Sequence, residues 1–68
     1  MTNLEKYVLQ KGQKKVDDYM AALGYKSCTI YGNNNSKVTY NNHPTRSDVT
    51  IIFSEKGRAK QVIYENNI

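Results

Sequence analysis

Apolar residues in the first third of the chain recur with the period of an amphipathic α-helix. Thr2, Asn3, Leu4 and Glu5 have the pattern of a capping box, which predicts that a helix begins there. Gly24 supplies the left-handed residue that commonly ends a helix. On a helical wheel the apolar residues between these ends fall within an arc of roughly 160°. They are Leu4, Val8, Leu9, Val16, Tyr19, Met20 and Leu23.

Gly12 lies near the middle of this apolar arc. Glycine in a helix interior costs about 1 kcal/mol relative to alanine, so its position calls for a reason. Two interpretations stay open. Either the missing side chain lets a sheet approach the helix closely, or the glycine marks a kink or a break between two shorter helices.

From Tyr25 onward the period changes from 3.6 to 2, which predicts β-strands separated by turns. Glycine and asparagine in 32–36 predict a hairpin loop, Pro44 excludes helix from the longer loop 41–47, and Gly57 predicts a tight hairpin. We expect 48–53 to be the central, best-buried strand and 65–68 to be a frayed tail. The four predicted strands are Tyr25 to Tyr31, Lys37 to Tyr40, Asp48 to Phe53 and Ala59 to Tyr64.

These elements predict a single α+β domain over residues 1–68, with the order α-β-β-β-β. An N-terminal helix packs on an antiparallel sheet of four strands, or at least three. A single helix covers one face of such a sheet, so the other face, with Tyr31 and Ile52, meets solvent or a partner. Self-association as a homodimer, through that face or an edge strand, is the simplest explanation for an uncovered face.

Composition excludes several classes of protein. One cysteine and one histidine provide neither an internal disulfide framework nor the four ligands of a structural zinc site. We therefore expect no metal and no cofactor. The chain has no apolar run of membrane-spanning length, and its N-terminus lacks the apolar stretch of a signal peptide. We expect a cytoplasmic protein without a membrane partner.

The chain carries a formal net charge of +4, but acidic residues are interspersed with the basic ones. Only Arg46 and Arg58 are arginines, the residue best suited to bidentate phosphate or guanine contacts. We expect weak, salt-sensitive attraction to polyanions without specific base recognition. Asparagine, lysine, tyrosine and isoleucine, which have A/T-rich codons, are abundant, and this favours an A+T-rich genome such as that of a phage or mobile element.

The sequence offers little catalytic chemistry, and we expect a protein that is not an enzyme. Cys28 alternates with core positions, so a buried structural thiol is a better interpretation than a nucleophile with His43 as its base. His43 with Ser47 and Asp48 could be drawn as an acid and base pair for RNA cleavage, but no motif supports it.

Two binding hypotheses remain. The favoured one is an inhibitor or adaptor, from a phage or mobile element, that docks on a larger host protein through its sheet face and Tyr/Asn-rich loops. Its predicted contact residues are Tyr31, Asn33, Asn34, Asn35, Tyr40, Asn42, Arg46 and Ile52.

The alternative is a small nucleic-acid-binding accessory protein, with Tyr31 and Tyr40 as exposed stacking groups. Its predicted phosphate surface consists of Lys11, Lys14, Lys15, Arg46, Lys56, Arg58 and Lys60. The arrangement of charge in three dimensions distinguishes the two hypotheses. A clustered basic face favours nucleic acid, and a surface broken by acidic residues favours a protein partner.

Overall fold

The computed structural model describes residues 3–31 and 36–64. They form two helices followed by four strands: α1 (Asn3–Val8), α2 (Gln13–Leu23), β1 (Ser27–Tyr31), β2 (Lys37–Asn41), β3 (Val49–Phe53) and β4 (Ala59–Tyr64). The predicted α+β class and the antiparallel sheet are confirmed, with two helices in place of one. The predicted capping residue Thr2, the loop residues 32–35 and the tail 65–68 lie outside the described residues.

The helical segment is divided in two at Gly12. Gln10 adopts a left-handed φ of 70°, and Gly12 has the extended angles φ −72° and ψ 162° as the N-cap of α2. A Cβ atom added to Gly12 would meet no atom within 4 Å, so the glycine is not a point of close helix-to-sheet approach. Of the two interpretations of Gly12, the break is therefore correct.

Gly24 ends α2 as predicted, with a left-handed φ of 110°. The amide of Tyr25 donates to the carbonyl oxygen of Met20 over 3.1 Å, so Tyr25 completes the helix cap. The first strand for this reason begins at Ser27, two residues later than the period-2 pattern predicts.

The four strands form an antiparallel meander in the order β1-β2-β3-β4. Val38 pairs with Ile51 and Tyr40 pairs with Val49, and these four side chains face the helices. Val16 and Met20 of α2, which are fully buried, cover that inner face. The core consists of Leu4, Val8, Val16, Met20, Tyr25, Val38, Tyr40, Val49, Ile51, Phe53 and Ala59. Strand β3 is interior and mostly buried, as expected.

No helix of the described residues packs on the opposite, outer face of the sheet. Thr39 and Thr50 lie side by side at its centre, buried by their neighbours, with their hydroxyl oxygens 2.8 Å apart. Ile63 pairs with Thr50 from β4 and is exposed. Tyr31 lies on β1 opposite Lys37 and is also exposed, and Ile52 is partly buried. The expectation of an uncovered face with Tyr31 and Ile52 on it is confirmed.

Candidate nucleic-acid interface

Five basic side chains surround one open cleft at the junction of the two helices with the β3–β4 hairpin. The cleft has a volume of about 550 Å³. No carboxylate belongs to the described residues that line it. These residues are Gln10, Lys11, Gly12, Lys14, Lys15, Lys56 and Arg58.

Backbone hydrogen bonds hold the two walls of the cleft together. One wall is the linker between α1 and α2, and the other is the hairpin that leads into β4. The amide of Gln10 donates a hydrogen bond to the carbonyl oxygen of Ala59 over 2.7 Å. In return, the amide of Ala59 donates to the carbonyl oxygen of Lys11 over 2.8 Å. Arg58 adds a hydrogen bond from Nη1 to the carbonyl oxygen of Gln10 at 3.2 Å. The linker thus pairs with the first residues of β4 like a short additional strand.

The first turn of α2 opens onto the same cleft. Its N-cap, Gly12, has no side chain that could accept a hydrogen bond from the amides of the first turn. Those amides carry the positive end of the helix dipole, and Lys14 and Lys15 add two full charges beside them. Backbone and side chains therefore contribute positive potential in the same place.

The ion pair that Lys14 makes neutralises little of this charge. Lys14 pairs with Asp18 along α2 at 3.8 Å, but both side chains are largely exposed. An exposed pair of this kind is worth less than about 1 kcal/mol and is readily exchanged for another anion. The cleft therefore remains a concentrated positive surface.

An exposed tyrosine lies beside the cleft. The Tyr7 ring stacks on the Tyr19 ring with centroids 4.2 Å apart and an interplanar angle of 19°. Lys11, which lines the cleft, places its ammonium nitrogen 5.6 Å from the Tyr7 ring centroid. Tyr7 is 44 % exposed. An aromatic surface is thus continuous with the basic one.

A second groove, of about 230 Å³, runs between α2 and β1. Tyr40 lies in its floor and donates a hydrogen bond from its hydroxyl to Oδ1 of Asp17. Burial raises the pKa of Tyr40 well above its ordinary value, and the hydrogen bond to Asp17 raises it further. The groove is lined by Asp17, Ala21, Tyr25, Lys26, Ser27, Cys28 and Tyr40.

Cys28 is exposed in this groove, so the expectation of a buried thiol is wrong. Its side chain is on the inner face of the sheet, opposite Tyr40, but β1 is an edge strand. All five residues of β1 are exposed, because the helices pack over the neighbouring strands and leave this edge strand uncovered. Alternation placed Cys28 on the correct face and gave no information on how far the helices extend over that face.

His43 has a structural role at the end of α2. Its Nε2 atom is 2.8 Å from the carbonyl oxygen of Leu23, and Nδ1 accepts hydrogen bonds from the amides of Thr45 and Arg46 at 3.1 and 3.0 Å. Nδ1 therefore has no proton, and Nε2 donates to Leu23. Because both ring nitrogens are engaged, His43 is not placed to act as a base for Cys28 or within a catalytic pair.

The structure brings together five of the seven residues of the predicted phosphate surface: Lys11, Lys14, Lys15, Lys56 and Arg58. Arg46 and Lys60 do not line the cleft. Arg46 is instead close to Tyr25, whose pKa is raised by burial and lowered in part by the Arg46 charge.

The predicted protein-docking residues are dispersed. Tyr31 and Ile52 share the outer face, and Asn42 donates a hydrogen bond to the Ser27 hydroxyl from the loop after β2. Tyr40 is 4 % exposed and faces α2, so its expected role as an exposed binding or stacking tyrosine is wrong. Asn33, Asn34 and Asn35 lie outside the described residues.

Sequence reasoning missed Tyr7 and Gln10. Tyr7 falls outside the apolar arc of the helical segment, which is a signal of exposure. Its contact with Lys11 does not follow from helical spacing, because α1 ends at Val8 and the chain turns through a left-handed residue before Lys11. Gln10 contributes only its backbone, and no property of its side chain predicts that.

The described residues lack two other kinds of functional feature. They contain no cluster of three or more side chains that could hold a metal ion. Neither helix among them has the length and apolar character needed to cross a bilayer.

The chain matches no protein-family model, no curated protein and no solved structure.

Proposed function

We propose that this protein binds nucleic acid through its phosphate backbone, without catalysis, and that the basic cleft is the binding site. The observation that carries the proposal is the convergence of five cations from two distant parts of the sequence. Lys11, Lys14 and Lys15 come from the helical segment, and Lys56 and Arg58 come from the β3–β4 hairpin. This is the clustered arrangement that favours the nucleic-acid hypothesis over the protein-docking one.

Gathering like charges in one cleft costs folding free energy, because the charges repel one another in the absence of a ligand. Dispersing them over the surface would relieve that repulsion and give the same solubility. The fold instead holds the two walls together by three hydrogen bonds that involve Gln10, Lys11, Arg58 and Ala59. A polyanion in the cleft would remove the repulsion and stabilise the folded state.

The composition of the cleft favours binding with little sequence preference. Four of the five cations are lysines, which act as point charges toward phosphate. Arg58 is the one arginine among the described lining residues, and it already donates one hydrogen bond to Gln10. We therefore expect contacts to phosphates to dominate the affinity, with base identity contributing little.

The salt dependence of binding tests this proposal. For contacts to four or five phosphates, the slope of log affinity against log salt should be about −3.5 to −4.5 on duplex DNA and about −3 on a single strand. Fluorescence anisotropy with labelled oligonucleotides of mixed sequence, over a series of salt concentrations, measures the slope. A slope shallower than about −1 would overturn the proposal.

A pair of double variants separates the cleft from net charge. Lys56→Glu with Arg58→Glu reverses two charges in the cleft, and we expect binding to be lost. Lys26→Glu with Lys37→Glu changes the net charge equally at exposed positions outside the cleft, and we expect affinity to fall only modestly. Equal losses in the two double variants would show that binding reflects net charge and that the cleft is not the site.

A second candidate function, docking on a protein partner, is favoured by the outer sheet face. Tyr31 and Ile63 are 46 % and 40 % exposed there, and Ile52 lies between their strands. Exposed tyrosine and isoleucine on one face are typical of a contact surface. Capture of partners from a nuclease-treated lysate tests it. Protein capture that survives nuclease and is lost in Tyr31→Ala with Ile63→Ala would support docking.

A further inference from the structure

We infer that the preferred ligand is single-stranded nucleic acid, with one base stacked on Tyr7 while the flanking phosphates occupy the basic cleft; this inference rests on the proposed function. It adds a ligand class and a contact residue to the cleft. The carrying observation is the position of Tyr7, exposed and joined to the cleft through Lys11.

Tyr7 is held in an orientation suited to stacking. Tyr19 lies almost parallel to it on α2, with the centroids 4.2 Å apart, so the Tyr7 ring is supported from one side. A ring that is already fixed loses little conformational freedom when a base stacks on it. The Tyr19 support distinguishes Tyr7 from a tyrosine that is merely exposed.

The other contact of the Tyr7 ring is the flexible Lys11 ammonium group, 5.6 Å from its centroid. An exposed cation–π contact is worth about a two- to fivefold effect on an equilibrium. A base stacked on an aromatic ring contributes about five- to 150-fold in affinity. Because the second effect is larger, a base can displace the ammonium group, which then turns to a phosphate in the cleft.

This exchange requires an unpaired base. In a duplex the faces of the bases are stacked on one another, so the Tyr7 ring finds no free base face except at a duplex end. A single strand offers such a face at every nucleotide. A basic groove with an adjoining aromatic platform is the combination that single-strand binding uses.

The experiment compares three ligands at one salt concentration by anisotropy: a short oligodeoxyuridylate, an oligouridylate of the same length and a hairpin duplex of equal charge. We expect the single strands to bind about tenfold more tightly than the duplex. Tighter binding of either single strand supports the inference, and comparison of the two shows which sugar is preferred. Equal or tighter binding of the duplex would overturn it.

Three single variants identify the platform. Tyr7→Leu keeps an apolar side chain against Tyr19, so the fold is retained, and it should weaken single-strand binding about tenfold with little change on the duplex. Tyr7→Phe should bind like the original protein. Tyr31→Leu is the matched control, because Tyr31 is equally exposed with Lys37 5.4 Å from its ring centroid, but lies on the outer sheet face.

The outcomes distinguish the two proposals. Loss of single-strand preference in Tyr7→Leu, with the salt slope unchanged, supports stacking at Tyr7. Unchanged preference in Tyr7→Leu, with binding still abolished by Lys56→Glu and Arg58→Glu, would reject stacking at Tyr7 and keep the cleft. Failure of every ligand to bind the unmodified protein would reject both.

Discussion

Arg58 donates a hydrogen bond from Nη1 to the backbone carbonyl oxygen of Gln10 at 3.2 Å, across 48 positions of sequence. Gln10 is in the linker between the helices, and Arg58 directly precedes β4 in the β3–β4 hairpin. The bond therefore joins the two walls of the basic cleft directly. A guanidinium group has five N–H donors, so one bond to Gln10 leaves donors for a phosphate.

Replacing Arg58 should change ligand binding more than stability. Arg58→Met keeps much of the aliphatic length and removes the charge and the hydrogen bond. We expect the salt slope to become shallower by about 0.9 on duplex DNA, the contribution of one phosphate contact. Because Arg58 is exposed, the free energy of unfolding should fall by about 1 kcal/mol or less.

Anisotropy over a salt series and urea denaturation provide the two measurements for Arg58. Arg58→Lys is the control, since it keeps the charge and should keep the slope. An unchanged slope in Arg58→Met would show that Arg58 contacts no phosphate and serves only to join the two walls.

The strands were predictable because each carries its own local pattern. Val49, Ile51 and Phe53 alternate with Thr50 and Ile52, and β3 has the expected inner face. The predicted bounds of β2, β3 and β4 differ from the observed ones by at most one residue. Turn residues such as Gly57, with its φ of 79°, act through local backbone geometry and are therefore also visible in the sequence.

The features that sequence reasoning missed depend on tertiary contacts. A break at Gly12 was one of the two open interpretations, but the pairing of the linker with Ala59 was not foreseen, because that partner is remote in sequence. The exposure of Cys28 depends on how far α2 extends over β1, and the burial of Tyr40 depends on the same packing. The sequence likewise does not show which lysines converge, because the cleft forms only when the β3–β4 hairpin packs against the linker.

The two glycines at the ends of α2 should respond differently to alanine. Gly24 has a left-handed φ of 110°, and a Cβ atom there would lie 3.1 Å from Nε2 of His43. Since that nitrogen is bonded to the Leu23 carbonyl, Gly24→Ala combines backbone strain with a disturbed hydrogen bond. We expect a loss of about 1 to 3 kcal/mol, measured as a lower Tm.

Gly12→Ala is the matched control for Gly24→Ala. Gly12 has an ordinary negative φ and open space around its missing Cβ, so alanine introduces no strain. The weaker N-cap preference of alanine offsets its lower entropy in the unfolded chain, so Tm should change little. Equal losses in both variants would contradict the structural distinction between the two glycines.

Cys28 should react quickly with a thiol reagent in the folded protein. The thiol is exposed on the edge strand β1, so folding should slow its reaction with an aromatic disulfide reagent by no more than about tenfold relative to denaturant. Absorbance of the released thiolate measures the rate. A Cys28→Ser variant provides the baseline.

The concentration dependence of this reaction also tests self-association. If two copies pair through their β1 edges, Cys28 becomes less accessible as the protein concentration rises, and the reaction slows. A rate that is independent of concentration would argue against a homodimer formed through β1. Protection at every concentration, however low, would contradict the exposure of Cys28 in the monomer.

Tyr40 should make stability sensitive to alkaline pH. Its pKa in the folded state is raised above the ordinary tyrosine value, chiefly by burial and then by the hydrogen bond that it donates to Asp17. In the unfolded chain the phenol ionises near pH 10, while in the folded state it stays protonated. The unfolded state therefore loses a proton that the folded state keeps, and the free energy of unfolding falls as pH rises above about 10.

Tyr40→Phe should remove this contribution and separate it from that of other groups. We expect the variant to be less stable at neutral pH by about 1 to 3 kcal/mol, because the hydrogen bond to Asp17 is lost. Above about pH 10 the free energy of unfolding should fall less steeply in the variant than in the unmodified protein. The two slopes should differ by up to about 1.4 kcal/mol per pH unit, the contribution of one proton. Urea denaturation at several pH values measures both effects. Tyr31→Phe is the exposed control and should follow the unmodified protein. If the free energies of unfolding of Tyr40→Phe and of the unmodified protein fall in parallel above pH 10, Tyr40 ionises normally in the folded state.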